Sequence, residues 1–215
     1  MPTIRRMTGM LATAGVLAGA ALVAAPSAGA ASTSSHLGTK PLSDILLADG
    51  DTFDHNPWDY DVLTQAVLAV LTNDPSSPVA VLTDGTVPLT AFLPTDRAFA
   101  KTVHDLTGAW PGSEKKTFDA VAGLGLDTVE AILLYHVVPG ATIDSSMALQ
   151  ADGVALPTAL AGKSFTVDVI HKSDGAVGVR LLDAAARYPY LVLNHLDINQ
   201  GNRQIAHRIG RVLLP

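Results

Sequence analysis

Cysteine is missing altogether from the 215 residues. That excludes disulfides, thiolate chemistry, cysteine-ligated zinc and a lipidated-cysteine anchor, so an exported chain of this kind must be held by its core alone. Positive charge is short as well, with 14 basic residues against 20 acidic ones. An acidic surface repels phosphate backbones, and no basic stripe interleaved with aromatics relieves it, which excludes nucleic acid as a partner and disfavours anionic membranes. Long apolar runs are confined to the start of the chain; after residue 30 none approaches the roughly 18 residues needed to span a bilayer. Catalytic patterns are equally thin. There is no Gly-x-Ser-x-Gly elbow, no His-Glu-x-x-His or His-x-x-Glu-His zinc pattern and no phosphate-cradling glycine loop. Ser113 and Lys116 form a Ser-x-x-Lys without its usual Ser-Asp-Asn and Lys-Thr-Gly companions, a chance match. The expectation is no catalytic residue, no cofactor and no metal-ligand set.

What is present begins with the order of a secretory signal peptide over residues 1–30. Arg5 and Arg6 give a positive start, an Ala/Gly/Leu/Val run from Met10 to Ala25 an apolar middle, and Ala28-Gly29-Ala30 a small-residue cleavage site after Pro26. Its removal takes away those two arginines and no acid, moving the net charge from −6 to −8. No later segment is expected to insert in a membrane. Residues 31–41, ASTSSHLGTKP, are small and polar and read as a flexible leader. Residues 42–215 suit one domain, long enough to bury roughly 70% of the surface its unfolded chain exposes.

Along that domain, Asn56 is expected to cap a helix with Pro57 at its first position, and Leu63, Ala66, Val67, Val70 and Leu71 recur at three- and four-residue steps. Val79 to Leu82 and Val87 to Leu93 read as strands around an Asp84-Gly85 hairpin turn. Thr95 or Asp96 caps a helix through Ala98, Phe99 and Val103. Residues 108–125 read as a loop. Asp127 and Glu130 resemble a capping box ahead of a helix that must stop before Pro139-Gly140. Phe165, Val167 and Val169 alternate, Asp174-Gly175 turns the chain, and Val177, Val179 and Leu181 alternate back. Tyr190–Leu193, Gln204–Ile209 and Arg211–Leu214 read as further strands. Early helices and late strands predict an α+β fold.

Three segments in this order resemble the signature of the fasciclin (FAS1) domain family. They are Leu89-Thr90-Ala91-Phe92-Leu93-Pro94-Thr95-Asp96-Arg97-Ala98-Phe99, then Tyr135-His136-Val137-Val138-Pro139-Gly140, then Asp197-Ile198 through His207 to Pro215. Gly162-Lys163 opens a strand between the second and third. The resemblance spans about residues 42–215. It departs from the family at Leu93, where alanine is usual, and at Asn202-Arg203, which implies a longer, less tightly wound turn before the last strands. The resemblance implies a wedge of mixed β-sheets flanked by several helices, and a secreted, non-enzymatic module in adhesion or in cell-surface and matrix interactions. Its partner would be an extracellular or cell-surface protein or glycan. By position, the family's recognition elements fall on Tyr135, His136, Asp197 and Ile198.

The residues themselves leave alternatives open. Tyr135 offers a large amphipathic contact, yet the same ring can pack while the His136 imidazole hydrogen-bonds a neighbouring loop. Thr95 and Asp96 are explained by helix capping. His207 shares a strand face with Ile205 and Ile209 and reads as a satisfied core histidine. Asp49-Gly50-Asp51-Thr52-Phe53-Asp54-His55 invites a calcium reading, but Phe53 and Tyr60 stand where an EF-hand loop needs oxygen ligands. A solvated acidic loop accounts for it, with room for one weak calcium site over Asp49–Asp54. A small-ligand carrier or sensor with a cleft beside the Tyr135-His136 helix end, or a hydrolase with a non-standard site, are the rival functions. A cavity of about 300 Å³ or more with convergent polar groups would favour a ligand.

Overall fold

The computed structural model describes residues 37–215 except 49, 51 and 174. The expected signal peptide, the first part of the leader and the acidic positions Asp49 and Asp51 lie outside the described residues. Six α-helices occur among those described, α1 (Leu42–Leu46), α2 (Asp61–Asn73), α3 (Asp96–Thr107), α4 (Glu114–Ala122), α5 (Leu126–Tyr135) and α6 (Ser145–Ala148). The strands are β1 (Leu89–Pro94), β2 (Val137–Pro139), β3 (Ala155–Pro157), β4 (Ser164–His171), β5 (Val177–Leu182) and β6 (Gln204–Ile209). One sheet has the order β2-β1-β6, with β1 antiparallel to β2 and parallel to β6. The other is the antiparallel β3-β4-β5. Single bridges from Tyr190 to Arg180 and from Leu191 to Ile209 tie β5 of one sheet to β6 of the other. The arrangement is α+β.

Every residue of β1 is buried, as expected of a strand covered on both faces. Its side chains alternate, and the alternation divides the interior. Leu89, Ala91 and Leu93 join a cluster with Val62, Val67, Phe99 and Leu133 of the helices. Phe92 enters a second cluster with Tyr135, Phe165, Leu181, Ile209 and Leu213, its ring edge-on to Phe165 at 5.2 Å.

Several local expectations give way to stronger bonds. Asn56 does not start a helix. Its Oδ1 accepts from Trp58 N and its own N–H donates to Asp54 Oδ1, two tight turns that delay α2 to Asp61. Pro78–Thr83 is a 3₁₀ helix rather than a strand, capped by Ser77 Oγ accepting from Val79 N, so Asp84-Gly85 makes no hairpin. The presumed loop over 108–125 contains α4, capped by Ser113 Oγ accepting from Lys116 N. The Ser-x-x-Lys spacing is thus that of a helix cap. Gly125, not a capping box, precedes α5, and Glu130 instead accepts from Ser77 Oγ at 2.5 Å. Tyr190–Leu193 makes only isolated bridges, and Arg211–Leu214 is not a strand. The end of the leader is pinned: Gly38 N donates to Gly201 O at 2.8 Å and Lys40 N to Asn202 Oδ1 at 3.1 Å.

Candidate functional site

The sequence singles out Tyr135, His136, Asp197 and Ile198. Tyr135 ends α5 with 0% of its surface exposed, its hydroxyl donating to Ser164 O at 2.9 Å. His136 is 5% exposed. Its Nδ1 bonds Ile132 O at 2.7 Å and its Nε2 accepts from Leu213 N at 2.9 Å. A carbonyl can only accept and an amide can only donate, so the ring is neutral with its proton on Nδ1. Burial pulls its pKa down to about 4. Asp197 is held in the left-handed region (φ 55) and accepts from both the N–H and the hydroxyl of Ser145. Ile198 is half-buried and pairs with Ala206. The two pairs share no hydrogen bond with each other and are occupied as clamps within the fold.

His207 is fully buried, with Nε2 donating to Ile143 O and Nδ1 accepting from Asp197 N. Burial lowers its pKa, and its Nδ1 lies 4.0 Å from Asp197 Oδ1. The turn at Asn202, expected to be loosely wound, is closed by the Asn202 amide donating to Asn199 O and Oδ1. The cleft expected at the Tyr135-His136 helix end is absent among the described residues; the cavity bordered by His136 measures about 20 Å³. A second cavity, lined by Phe99, Val103, Val121, Leu124 and Ile132, is almost wholly apolar and measures about 90 Å³, well short of a ligand pocket.

Volume and polar groups coincide elsewhere. A cleft of about 300 Å³ is bounded by His55, Pro57, Asp96, Arg97, Trp110 and Glu114. It arises because residues 54–60 are laid across the start of α3: Arg97 N donates to Pro57 O, Asp96 N to Asp59 O, and His55 N to Glu114 Oε2 at the start of α4. Thr95 caps α3 by accepting from Ala98 N, which frees Asp96 to accept from Val62 N of α2 at 2.9 Å. Asp96 therefore caps a helix, but the neighbouring one. The chain's two tryptophans flank this face. Trp110 lines the cleft with 60% of its surface exposed, stacked on His104 at 4.4 Å. Trp58 is 55% exposed, with the Arg97 guanidinium 5.3 Å over its ring.

Acidic side chains crowd together beneath the cleft. Carboxylate oxygens of Asp61, Asp96 and Glu114 lie within 4.8 Å of one another, and those of Asp54, Asp59 and Asp61 form a second such group. Burial, then the Asp59 charge, pushes Asp61 up to about 6. Burial and the neighbouring Asp59 carboxyl also raise Asp96. Sequence reasoning missed this cluster because its members come from separate segments; the one available signal was Asp96 directly beside a threonine that suffices as the cap.

The family model of the Fasciclin domain matches residues 63–215, and the chain belongs to that family. Fasciclin domains are generally non-enzymatic, typically extracellular and often adhesion-related. Among solved structures, the chain is similar to one described as a FAS1 domain pair from the insect cell adhesion molecule fasciclin I, at 15% identity and a TM-score of 0.45. The match covers 72% of this chain and 43% of that one, so the chain spans less than half its length. No curated protein matches. No helix among the described residues is long and apolar enough to cross a membrane.

Proposed function

We propose that the chain is a secreted, non-enzymatic binding module that engages a protein at the cell surface or in the extracellular matrix through the face bearing Trp58, Arg97 and Trp110. The observation that carries this reading is the exposure of both tryptophans on one face, 55% and 60%, beside a cleft of about 300 Å³. Tryptophan and arginine are the residues that most often anchor protein interfaces. Their side chains here are pre-set by stacking, which reduces the ordering cost of binding. Family membership supports the reading, as does an acidic charge balance that disfavours nucleic acid.

The test immobilises the purified chain and its Trp58→Ala/Trp110→Ala variant and exposes both to surface extract of the producing organism. Retention of a protease-sensitive component by the wild type, lost in a variant that melts at the same temperature, is the expected result. Equal retention by both would move the binding face elsewhere. A retained component that survives protease would make the partner a glycan. Saturable binding of small molecules from a dialysed extract fraction would favour a ligand carrier using this same cleft, whose volume lies at the lower bound of ligand pockets.

A further inference from the structure

We propose that Asp59 and Asp96 share one proton, and that this proton latches residues 54–60 onto the start of α3, so that acidity fastens the face bearing Trp58 and loss of the proton releases it. The latch stands on its own geometry. Only its effect on binding rests on the tryptophan face being the docking surface.

Asp59 and Asp96 are 8% and 2% exposed. Asp96 Oδ1 accepts from Val62 N, and the Asp96 carboxyl is hydrogen-bonded on its other side to the carboxyl of Asp59. Ionised carboxylates only accept, so that bond requires a proton on one of the two. No ion pair among the described residues brings a cation to Asp96. The two guanidiniums of the neighbourhood are committed elsewhere, Arg97 over the Trp58 ring and Arg208 of β6 to the Tyr60 hydroxyl at 3.0 Å. The remaining groups that face the pair are acids: Asp54 of the segment itself, Asp61 at the start of α2 and Glu114 at the start of α4. Burial, followed by the bond to Asp59, pushes Asp96 up to about 8.

The segment has little else to hold it. Residues 54–58 are all exposed, and Asp59 is the first buried position. Three backbone donors fix it: Arg97 N to Pro57 O, Asp96 N to Asp59 O, and His55 N to Glu114 Oε2. His55 sits in the left-handed region (φ 76), a conformation that persists only while its surroundings impose it. Without the shared proton, two buried negative charges face each other. The helix α3 is anchored in the core by Phe99 and Val103, so the exposed segment is the side that yields. Asp96 lines the cleft, which gives the proton its way out to solvent.

Folded Asp96 keeps its proton up to about 8 and an unfolded one only to 3.8, so the latch is full in acid and is lost as pH climbs between those values. His136 acts in the opposite sense but is complete above 6.5, and burial holds Tyr60 above its ordinary 10. The interval from about pH 6.5 to 9 therefore isolates the pair. Hydrogen exchange of the full chain, and Trp58 emission read in Trp110→Phe, test the latch across it. Protection at the Asp96 and Arg97 amides should fall about tenfold or more once intrinsic rates are corrected, and Trp58 emission should shift with a one-proton midpoint. Far-UV circular dichroism should stay constant. Asp59→Asn supplies a permanent amide donor, so both signals should keep their acid values throughout. Glu114→Gln removes a facing charge and should move the midpoint to lower pH. The latch is overturned if wild type shows no transition, if Asp59→Asn shows the same one, or if far-UV signal is lost with it. Retention of the surface component should weaken from pH 6.5 to 9 in wild type and not in Asp59→Asn. A transition with constant retention would keep the latch and move the binding face away from Trp58.

Discussion

The Nε2 atom of His136 accepts a hydrogen bond from the backbone N–H of Leu213, 2.9 Å away and 77 residues further along the chain. With Nδ1 on Ile132 O, the imidazole staples the end of α5 to the segment after β6. His136→Ala removes the side-chain partner of a buried amide and of a part-buried carbonyl, and should lower stability by roughly 1–3 kcal/mol. Urea denaturation reads this directly. An unchanged midpoint and slope would show that the staple contributes nothing.

The same ring gives a pH signature. Its pKa is about 4 when folded against an ordinary 6.5, so between those values the unfolded chain binds more protons at this site. The contribution is complete above pH 6.5, declines as pH falls towards 4, and is flat below, a change of roughly 3 kcal/mol. The stability gap between wild type and His136→Ala should therefore narrow as pH is lowered from 7 to 4. A gap that stays constant in paired melts would contradict a neutral, buried ring.

On α5, Leu133 is buried while Ile132 is half-buried at the edge of the 90 Å³ cavity, although the helical spacing alone makes both core residues. Leu133→Ala should cost about 2–5 kcal/mol, and Ile132→Ala less, about 1–2 kcal/mol, because part of that side chain already meets solvent. Equal losses in chemical denaturation would place Ile132 deeper than the structure does.

Gly85 lies against the end of the leader: a Cβ there would fall 1.9 Å from Thr39 O and 2.9 Å from Pro41 N. Backbone atoms cannot rotate aside. Gly85→Ala should peel residues 38–41 away or cost about 1–3 kcal/mol in overpacking. Hydrogen exchange at the Gly38 and Lys40 amides, bonded to Gly201 O and Asn202 Oδ1, distinguishes the two, since only peeling removes their protection.

The fold was legible wherever one residue type carried the signal locally. Thr95 as a cap, the alternating β4 and β5, and the buried His207 all follow from neighbours within a few positions. Val79 to Leu82 was not legible, because a four-residue apolar run has no period that separates strand from 3₁₀ turn, and Ser77 decides it. The helix α4 was hidden by its Lys-Lys-Thr start and sparse apolar face. At the site, the motif pointed to Tyr135 and His136, which the structure turns inward. The cleft and its acidic floor depend on residues 54–60 docking against two helix starts, a tertiary event with no short-range signature.

Gln204 opens β6, and its side chain accepts from Leu42 N across a separation of 162 residues while donating to Val81 O and Asp84 O. With the parallel pairing of β1 to β6, this makes the middle of the molecule wait for a late-made strand. Before Gln204–Ile209 emerges, β1 has an open edge and the cluster around Phe92 lacks Ile209 and Leu213. Contacts so distant in sequence slow folding. A chain interrupted before this strand would not be a smaller stable domain but a sticky intermediate with an unpaired edge. Were the chain exported as proposed above, that delay would keep it in a passable, unfolded form while it crossed.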